Sequence, residues 1–114
     1  MTMKKFQNTP QKGAFRHIVF KDGGLWFAVA MEFNIVESSD DPKLALFNMY
    51  QAVSGYIQSI RKIKGLKGYE ALNQTTDPEY EKLWSILKAN KGGPIKSPYI
   101  VDTFGHSAIP LNYA

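Results

Sequence analysis

The first apolar segment of the chain has the two-residue period of a β-strand. Residues 15–20 (FRHIVF) place Ile18 on one face and Val19 on the other. Asp22 and Gly23 follow directly, and an Asp-Gly pair between two apolar runs predicts a tight hairpin turn, because glycine accepts the positive φ that such a turn requires. The pattern therefore predicts a β-hairpin near the N-terminus.

The second strand of this hairpin is apolar on both of its faces. Residues 25–31 (LWFAVAM) contain no polar side chain, whereas a half-exposed antiparallel strand alternates apolar with polar residues. One helix covers only one face of a sheet, so the other face needs the C-terminal segment, a second copy of the chain or a partner. Residues 33–36 (FNIV) predict a short third strand in the same sheet.

Apolar residues at spacings of three and four predict a long helix from Pro42 to about Lys64. Asp41 is a suitable N-cap, proline is tolerated in the first turn, and Gly65 is the natural stop. The predicted stripe consists of Leu46, Met49, Val53, Ile57, Ile60 and Ile63.

The C-terminal part predicts one shorter helix and an apolar extension. Residues 66–76 read as a loop with a possible short turn, and residues 78–90 form a second helix capped by Asp77. Residues 99–104 have the composition of an additional strand, and the extension around them could cover the open sheet face or reach a neighbouring subunit. The fold class is α+β: a three-stranded antiparallel sheet, with a possible fourth C-terminal strand, packed against one long helix beside a second, shorter helix.

A chain of 114 residues is expected to form one domain. We divide it into a flexible basic tail (residues 1–13), a β-β-β-α core (residues 14–65) and a helix with an apolar C-terminal extension (residues 66–114). The last part belongs to the same domain or serves as an oligomerisation arm. The chain has no cysteine, no apolar run long enough for a membrane span and no signal-peptide pattern, so we expect a cytoplasmic protein that does not enter a membrane.

Positive charge is concentrated at the end of the long predicted helix. Arg61, Lys62, Lys64 and Lys67 lie within seven residues, and the net charge of the chain is +4. Cations at this position complement the carbonyl end of the helix dipole. They could also contact the phosphates of a nucleic acid. Both interpretations remain open on the sequence alone.

Candidate catalytic residues are few. His17 lies between apolar strand residues, where a structural role is the ordinary one. Asp102, His106 and Ser107 are the residue types of a nucleophilic triad, but a triad is a geometry across a fold and no nucleophile-elbow motif accompanies these three. We predict no catalytic residue, no cofactor and no metal site.

Residues 15–60 resemble the HicB-like antitoxin family. The matching segments are FRHIVF, KDGG, LWFAVA, MEFNIVESS and DDPKLALFNMYQAVSGYI, and they cover under half of the chain. The positions that fall on the family pattern are Gly23, Trp26, Phe27, Asp40, Pro42 and Ala45.

The resemblance implies a non-enzymatic interaction protein that acts as a homo-oligomer. In the family, the best-known role is that of the antitoxin in a toxin-antitoxin pair, which binds and masks a small RNase toxin. The alternative is a nucleic-acid-binding module that uses the basic residues after the long helix together with the basic N-terminal tail. A small hydrolase around His106 and Asp102 ranks last. The expected partner or oligomer interface consists of Phe15, Trp26, Ala28, Ala30, Tyr99 and Val101.

Overall fold

The structure, a computed structural model, describes residues 7–89 and 99–109. Its elements are β1 (Gly13–Asp22), β2 (Leu25–Ala30), a 3-10 turn (Met31–Phe33), β3 (Ile35–Ser39), α1 (Pro42–Ile60), α2 (Leu66–Ala71), α3 (Pro78–Ala89) and β4 (Ile100–Ile109). The four strands form one antiparallel sheet in the order β3-β2-β1-β4. The predicted α+β class is confirmed, and the possible fourth strand is part of the sheet.

The N-terminal hairpin forms as the sequence predicts. β1 and β2 pair from His17 opposite Ala30 to Asp22 opposite Leu25. Gly23 in the turn has a φ of 65°, a conformation that glycine adopts without strain. β3 begins two residues later than predicted, because the chain first makes a single 3-10 turn that ends at Asn34.

Helix α1 starts at its predicted cap and ends earlier than predicted. The side chain of Asp41 accepts hydrogen bonds from the backbone N–H groups of Lys43 (2.7 Å) and Leu44 (3.2 Å). The last helical residue is Ile60, after which the chain turns, and Gly65 precedes α2 with a φ of 84°. The predicted loop at residues 66–76 is wrong in its first half, because residues 66–71 form the short helix α2, whereas residues 72–76 form the loop.

The two faces of the sheet carry two separate apolar cores. α1 packs mainly on β2 and β3 and covers one face, which we call the α1 face; α3 covers the opposite face, the α3 face. The buried residues of the α1 face include Phe15, Val19, Ala28, Ala30, Met49, Val53 and Ile57. Those of the α3 face are Ile18, Phe20, Val29, Met31, Leu83, Trp84 and Leu87.

Helix α3 supplies the cover that the second face of β2 requires. The sequence indicated that β2 must be buried on both faces, and Val29 and Ala30, which point to opposite faces, are both fully buried. The cover is a helix of the same chain, so neither a second copy nor a partner is needed there. The C-terminal strand lies beside β1 at the edge of the sheet and adds to both cores from that position.

An ion-pair network ties α3 to the sheet through Arg16. The Arg16 guanidinium bonds to the carboxylates of Glu32 and Glu81, and it lies 5.5 Å from the centre of the Trp84 ring. The hydrogen bonds from Arg16 also lower the pKa of Glu81. The carboxylate of Glu32 also accepts a hydrogen bond from the backbone N–H of Arg16. The Arg16 side chain on β1 thus connects both the 3-10 turn, through Glu32, and α3, through Glu81, to the sheet.

We expect Arg16→Ala to lower the free energy of unfolding by about 2 kcal/mol. The change leaves Glu32 and Glu81 without their cation, and hydrogen bonds to charged groups contribute about 1.5–3 kcal/mol each when they are not fully exposed. Urea unfolding measures the loss. Arg16→Lys keeps the charge without the planar fork and should lie between the wild type and Arg16→Ala. Equal stability of all three proteins would show that the network contributes nothing.

The described part of the predicted N-terminal tail is packed on the domain. Asn8 is 1% exposed. Its side chain donates a hydrogen bond to the carbonyl of Leu72 (3.0 Å) and accepts one from the backbone N–H of Ala14 (2.8 Å). Its own N–H donates to the Asn73 side chain (2.9 Å). The flexible tail predicted for residues 1–13 is thus wrong for residues 8–13, because a buried asparagine anchors them; residues 1–6 lie outside the described residues.

Candidate functional site

The six residues of the predicted interface do not form one surface. Phe15, Ala28 and Ala30 are buried in the core beneath α1, and Trp26 is half-buried at the margin of that core. Tyr99 and Val101 lie against the other core, on the α3 face. The first three side chains are covered within the chain, so no partner can reach them while α1 is in place.

Tyr99 completes the α3-face core. Its ring centre lies 4.8 Å from that of Phe20, and its hydroxyl donates to Glu79 (3.2 Å). The same hydrogen bond raises the pKa of Tyr99. Tyr99 and Val101, at the start of β4, therefore have apolar neighbours within the chain and do not form a free interface.

Among the described residues, the outer edge of β4 is a ten-residue backbone edge without a neighbouring strand. β1 pairs with the inner edge of β4 along its whole length, from Gly13 opposite Ile109 to Lys21 opposite Ile100. Among residues 7–89 and 99–109, no backbone group makes a hydrogen bond to the other edge of β4. In an antiparallel strand, every second residue directs its N–H and C=O to the side away from its partner. A ten-residue row of such groups is a template for another strand.

The two edges of the sheet differ in their protection. β3 has five residues, contains Glu37, and is followed by Asp40 and Asp41, which makes it a short and charged edge. Short length and charge are devices by which proteins prevent edge pairing. β4 is twice as long, and from Thr103 to Ile109 it contains no proline, lysine or acid. The chemistry of the β4 edge thus favours strand addition and that of the β3 edge opposes it.

A bulge limits the flat part of β4. Val19 lies opposite Thr103 and Phe20 opposite Val101, so Asp102 has no partner on β1. The charge of Asp102 and the bulge both lie near the N-terminal end of the strand. The segment available for regular pairing is therefore residues 103–109, which we call the β4 edge.

The second candidate is a cluster of five exposed cations that we call the basic surface: Lys12, Arg61, Lys62, Lys64 and Lys67. A side-chain nitrogen of Arg61 donates to the carbonyl of Pro10 (3.2 Å), which brings the N-terminal segment to the end of α1. α2 packs close to the same place, since a Cβ on Gly68 would lie 3.2 Å from Ile60. The four predicted nucleic-acid residues are all exposed and lie within one seven-residue segment, and the contact with Pro10 brings the backbone two residues before Lys12 to this segment.

A buried polar chain links β1, β4 and α1. The hydroxyl of Ser107 lies 2.8 Å from Nδ1 of His17 and 2.7 Å from the hydroxyl of Tyr50. Ninety residues separate His17 from Ser107 in the sequence. The only sequence signal for this contact was a polar residue in each of two apolar strands. His17 and Ser107 are each 8% exposed, and the Ser107 hydroxyl lies between His17 and Tyr50. This geometry fits a structural link rather than an activated nucleophile.

The stability of the protein should fall as the pH drops below about 6.5. Burial lowers the pKa of His17 from its ordinary value of 6.5, and the charge of nearby His106 lowers it further. Between the pKa of His17 in the folded protein and about 6.5, the unfolded chain binds a proton that the folded chain does not bind. The contribution of His17 to the free energy of unfolding is therefore fully present above about pH 6.5 and is lost as the pH falls through this range. We expect the urea midpoint to be lower at about pH 5.5 than at about pH 7.5.

His17→Gln should remove most of this pH dependence, because glutamine can still bond to Ser107 but does not titrate in this range. His106→Gln is the control and should retain most of it, because burial is the larger cause of the lowered pKa of His17. A midpoint of the His17→Gln protein that still falls as steeply as that of the wild type would contradict the assignment to His17.

The triad residue types near the C-terminus do not assemble into a triad. Ser107 points to the α1 face, whereas His106 lies on the α3 face with its ring centre 5.4 Å from that of Trp84. Adjacent strand residues point to opposite sides of the sheet, which separates the two side chains. In the described part of the chain, no group of three His, Asp or Glu side chains is placed to hold a metal ion.

Comparison with known proteins gives no relative for this chain: no family model, curated protein or solved structure matches it. No helix among the described residues has both the length and the apolar character needed to cross a membrane. The β4 edge and the basic surface are therefore the features of the chain from which a function can be inferred.

Proposed function

We propose that the chain is a non-enzymatic interaction protein that assembles with a second copy of itself through the β4 edge. The observation that carries this proposal is the seven-residue, nearly uncharged edge of β4, in a sheet whose opposite edge is short and acidic. Both faces of the sheet are covered by helices of the same chain, which leaves edge pairing as the main route of association for the sheet.

A second copy suits this edge because two identical strands that pair antiparallel are related by a two-fold axis, which gives a closed dimer. Such an interface uses the same surface on both subunits and leaves no free β4 edge for further addition. The product would be a continuous eight-stranded sheet with β4 and its copy at the centre. The β3 edges would lie at the two ends, where their charge prevents growth into a fibre.

The chain contains no cysteine, which makes single-cysteine variants a clean test of this pairing. The variants are Thr103→Cys, His106→Cys and Ala108→Cys on the β4 edge, with Ser38→Cys on β3 as the matched control. A disulfide requires Cβ atoms about 3.5–4.5 Å apart, so only positions close to the two-fold axis can cross-link. We expect a disulfide-linked dimer from at least one β4 variant and a monomer from Ser38→Cys.

The pattern of cross-linking separates specific pairing from random collision. Around a two-fold axis, the yield should peak at one position and fall on either side of it. If no β4 variant cross-links faster than Ser38→Cys, although all four proteins keep the urea midpoint of the wild type, pairing at this edge is excluded.

The antitoxin role is a separate part of the proposal and rests on the resemblance of residues 15–60 to the HicB-like family. It predicts that the oligomer binds and masks a small RNase toxin. Pull-down from the native cell with mass spectrometry tests it. Co-purification of a small RNase in proportion to the protein supports the role, and repeated recovery of the protein without such a partner contradicts it.

A further inference from the structure

We propose that the basic surface binds the phosphate backbone of a single-stranded nucleic acid. The proposal concerns a different part of the molecule from the β4 edge and does not depend on self-association. It combines the charge of Lys12, Arg61, Lys62, Lys64 and Lys67 with the exposed apolar side chains that lie among them.

The helix dipole accounts for only part of this charge, because Arg61 is the C-cap of α1 and lies at the carbonyl end of its dipole. α1 ends at Ile60 and carries no basic residue in its last turn, where the interaction with the dipole is strongest. Lys62 and Lys64 follow the helix, and Lys67 lies in the first turn of α2, where a positive charge is unfavourable with respect to the dipole of that helix. The dipoles of α1 and α2 therefore leave the charges of Lys64 and Lys67 unexplained, and an external anion would compensate them.

Within residues 7–89 and 99–109, none of the five cations forms an ion pair. Both ion pairs found among the described residues involve Arg16, on the other side of the sheet from α1. Residues 7–12 and 61–69 contain no aspartate or glutamate. The contact between Arg61 and Pro10 fixes two distant segments next to each other, so Lys12 adds its charge to the same region. A local excess of positive charge held by the fold is the electrostatic footprint of a polyanion site.

Apolar side chains among the cations favour a single strand over a duplex. Ile63 and Leu66 are 47% and 63% exposed, and Tyr69 is 38% exposed. A cavity of about 140 Å³ between residues 10–11 and the turn after α1 has Arg61, Ile63 and Tyr69 in its walls. Unstacked bases can pack on such side chains beside the cations, whereas a duplex presents mainly phosphates. A membrane-binding helix needs a longer apolar face than the six residues of α2 provide.

The test is fluorescence anisotropy with labelled oligo-dT of about 16 nucleotides. The charge-reversed variant Lys62→Glu/Lys64→Glu/Lys67→Glu is compared with Lys43→Glu/Lys82→Glu/Lys88→Glu, which makes the same change in net charge at exposed positions elsewhere. We expect the first variant to bind at least tenfold more weakly than the second. For the wild type, the logarithm of the binding constant should fall linearly with that of the salt concentration, with a slope of about −0.7 per phosphate contacted.

Three outcomes overturn the proposal. The first is no binding of the oligonucleotide by the wild type, and the second is equal weakening in both triple variants, which would show an effect of net charge alone. The third is tighter binding to a duplex of equal length or to vesicles containing an anionic phospholipid. Urea midpoints close to that of the wild type exclude misfolding of either variant, and light scattering keeps this test separate from that of self-association.

Discussion

Trp84→Ala is expected to lower the free energy of unfolding by about 3–5 kcal/mol, as other buried aromatic truncations do. Trp84 is 7% exposed, and its ring makes edge contacts with Phe104 (5.7 Å between ring centres) and His106 (5.4 Å). It also stacks beneath the Arg16 guanidinium. The change opens a cavity between α3 and the sheet and weakens the only helix that covers this face in the described structure.

Urea unfolding monitored by circular dichroism measures this effect, and Leu44→Ala provides the control. Leu44 lies on α1 and is 47% exposed, so its truncation should change the stability by less than about 1 kcal/mol. A loss for Trp84→Ala as small as that for Leu44→Ala would mean that α3 does not cover the sheet as described.

Gly13→Ala should cost about 3 kcal/mol or more, a large effect for the addition of one methyl group. A Cβ at this position would lie only 2.1 Å from Oδ1 of Asn8, and the φ of 154° is rare for residues with a side chain. Asn8 would have to leave its site and abandon its hydrogen bonds to Ala14 and Leu72. Each buried polar group left without a partner costs about 1–3 kcal/mol.

Asn8→Ala is the companion variant that identifies the cause. It loses the same hydrogen bonds without a clash. The double variant Asn8→Ala/Gly13→Ala should be more stable than the sum of the two single losses predicts, because the side chain that Gly13→Ala displaces is already absent. Because the two residues touch, their effects should be strongly non-additive. Additive losses would show that the clash with the Asn8 side chain is not the reason for the glycine, which would leave the positive φ and the close approach to the Cα of Asn8 (2.9 Å).

The regular elements could be predicted because they depend on local periodicity. The two-residue period and the Asp-Gly turn identified β1 and β2, and the cap at Asp41 located the start of α1. The sequence also indicated that β2 is buried on both faces. It did not show which element supplies the second cover, because the apolar stripe of α3 fits a sheet of its own chain and a neighbouring subunit equally well.

The candidate interface was harder to predict because burial within the chain and burial by a partner leave the same apolar pattern. Ala28 and Ala30 looked like interface residues and are core residues beneath α1. The sequence placed Lys12 in the basic N-terminal tail, and the contact of Arg61 with Pro10 brings that segment to the end of α1, where the other cations of the basic surface lie. The link between His17 and Ser107 depends on the pairing of β1 with β4, and no local pattern determines that pairing.

Amide hydrogen exchange as a function of protein concentration tests the central claim, self-association at the β4 edge, most directly. With a second copy on this edge, the outward amides at alternate positions of residues 103–109 become hydrogen-bonded, and their exchange should slow as the concentration rises. The amides of β3 should be unaffected. Exchange of the β4 amides that is independent of concentration, in a protein with the mass of a single chain, would contradict the proposal.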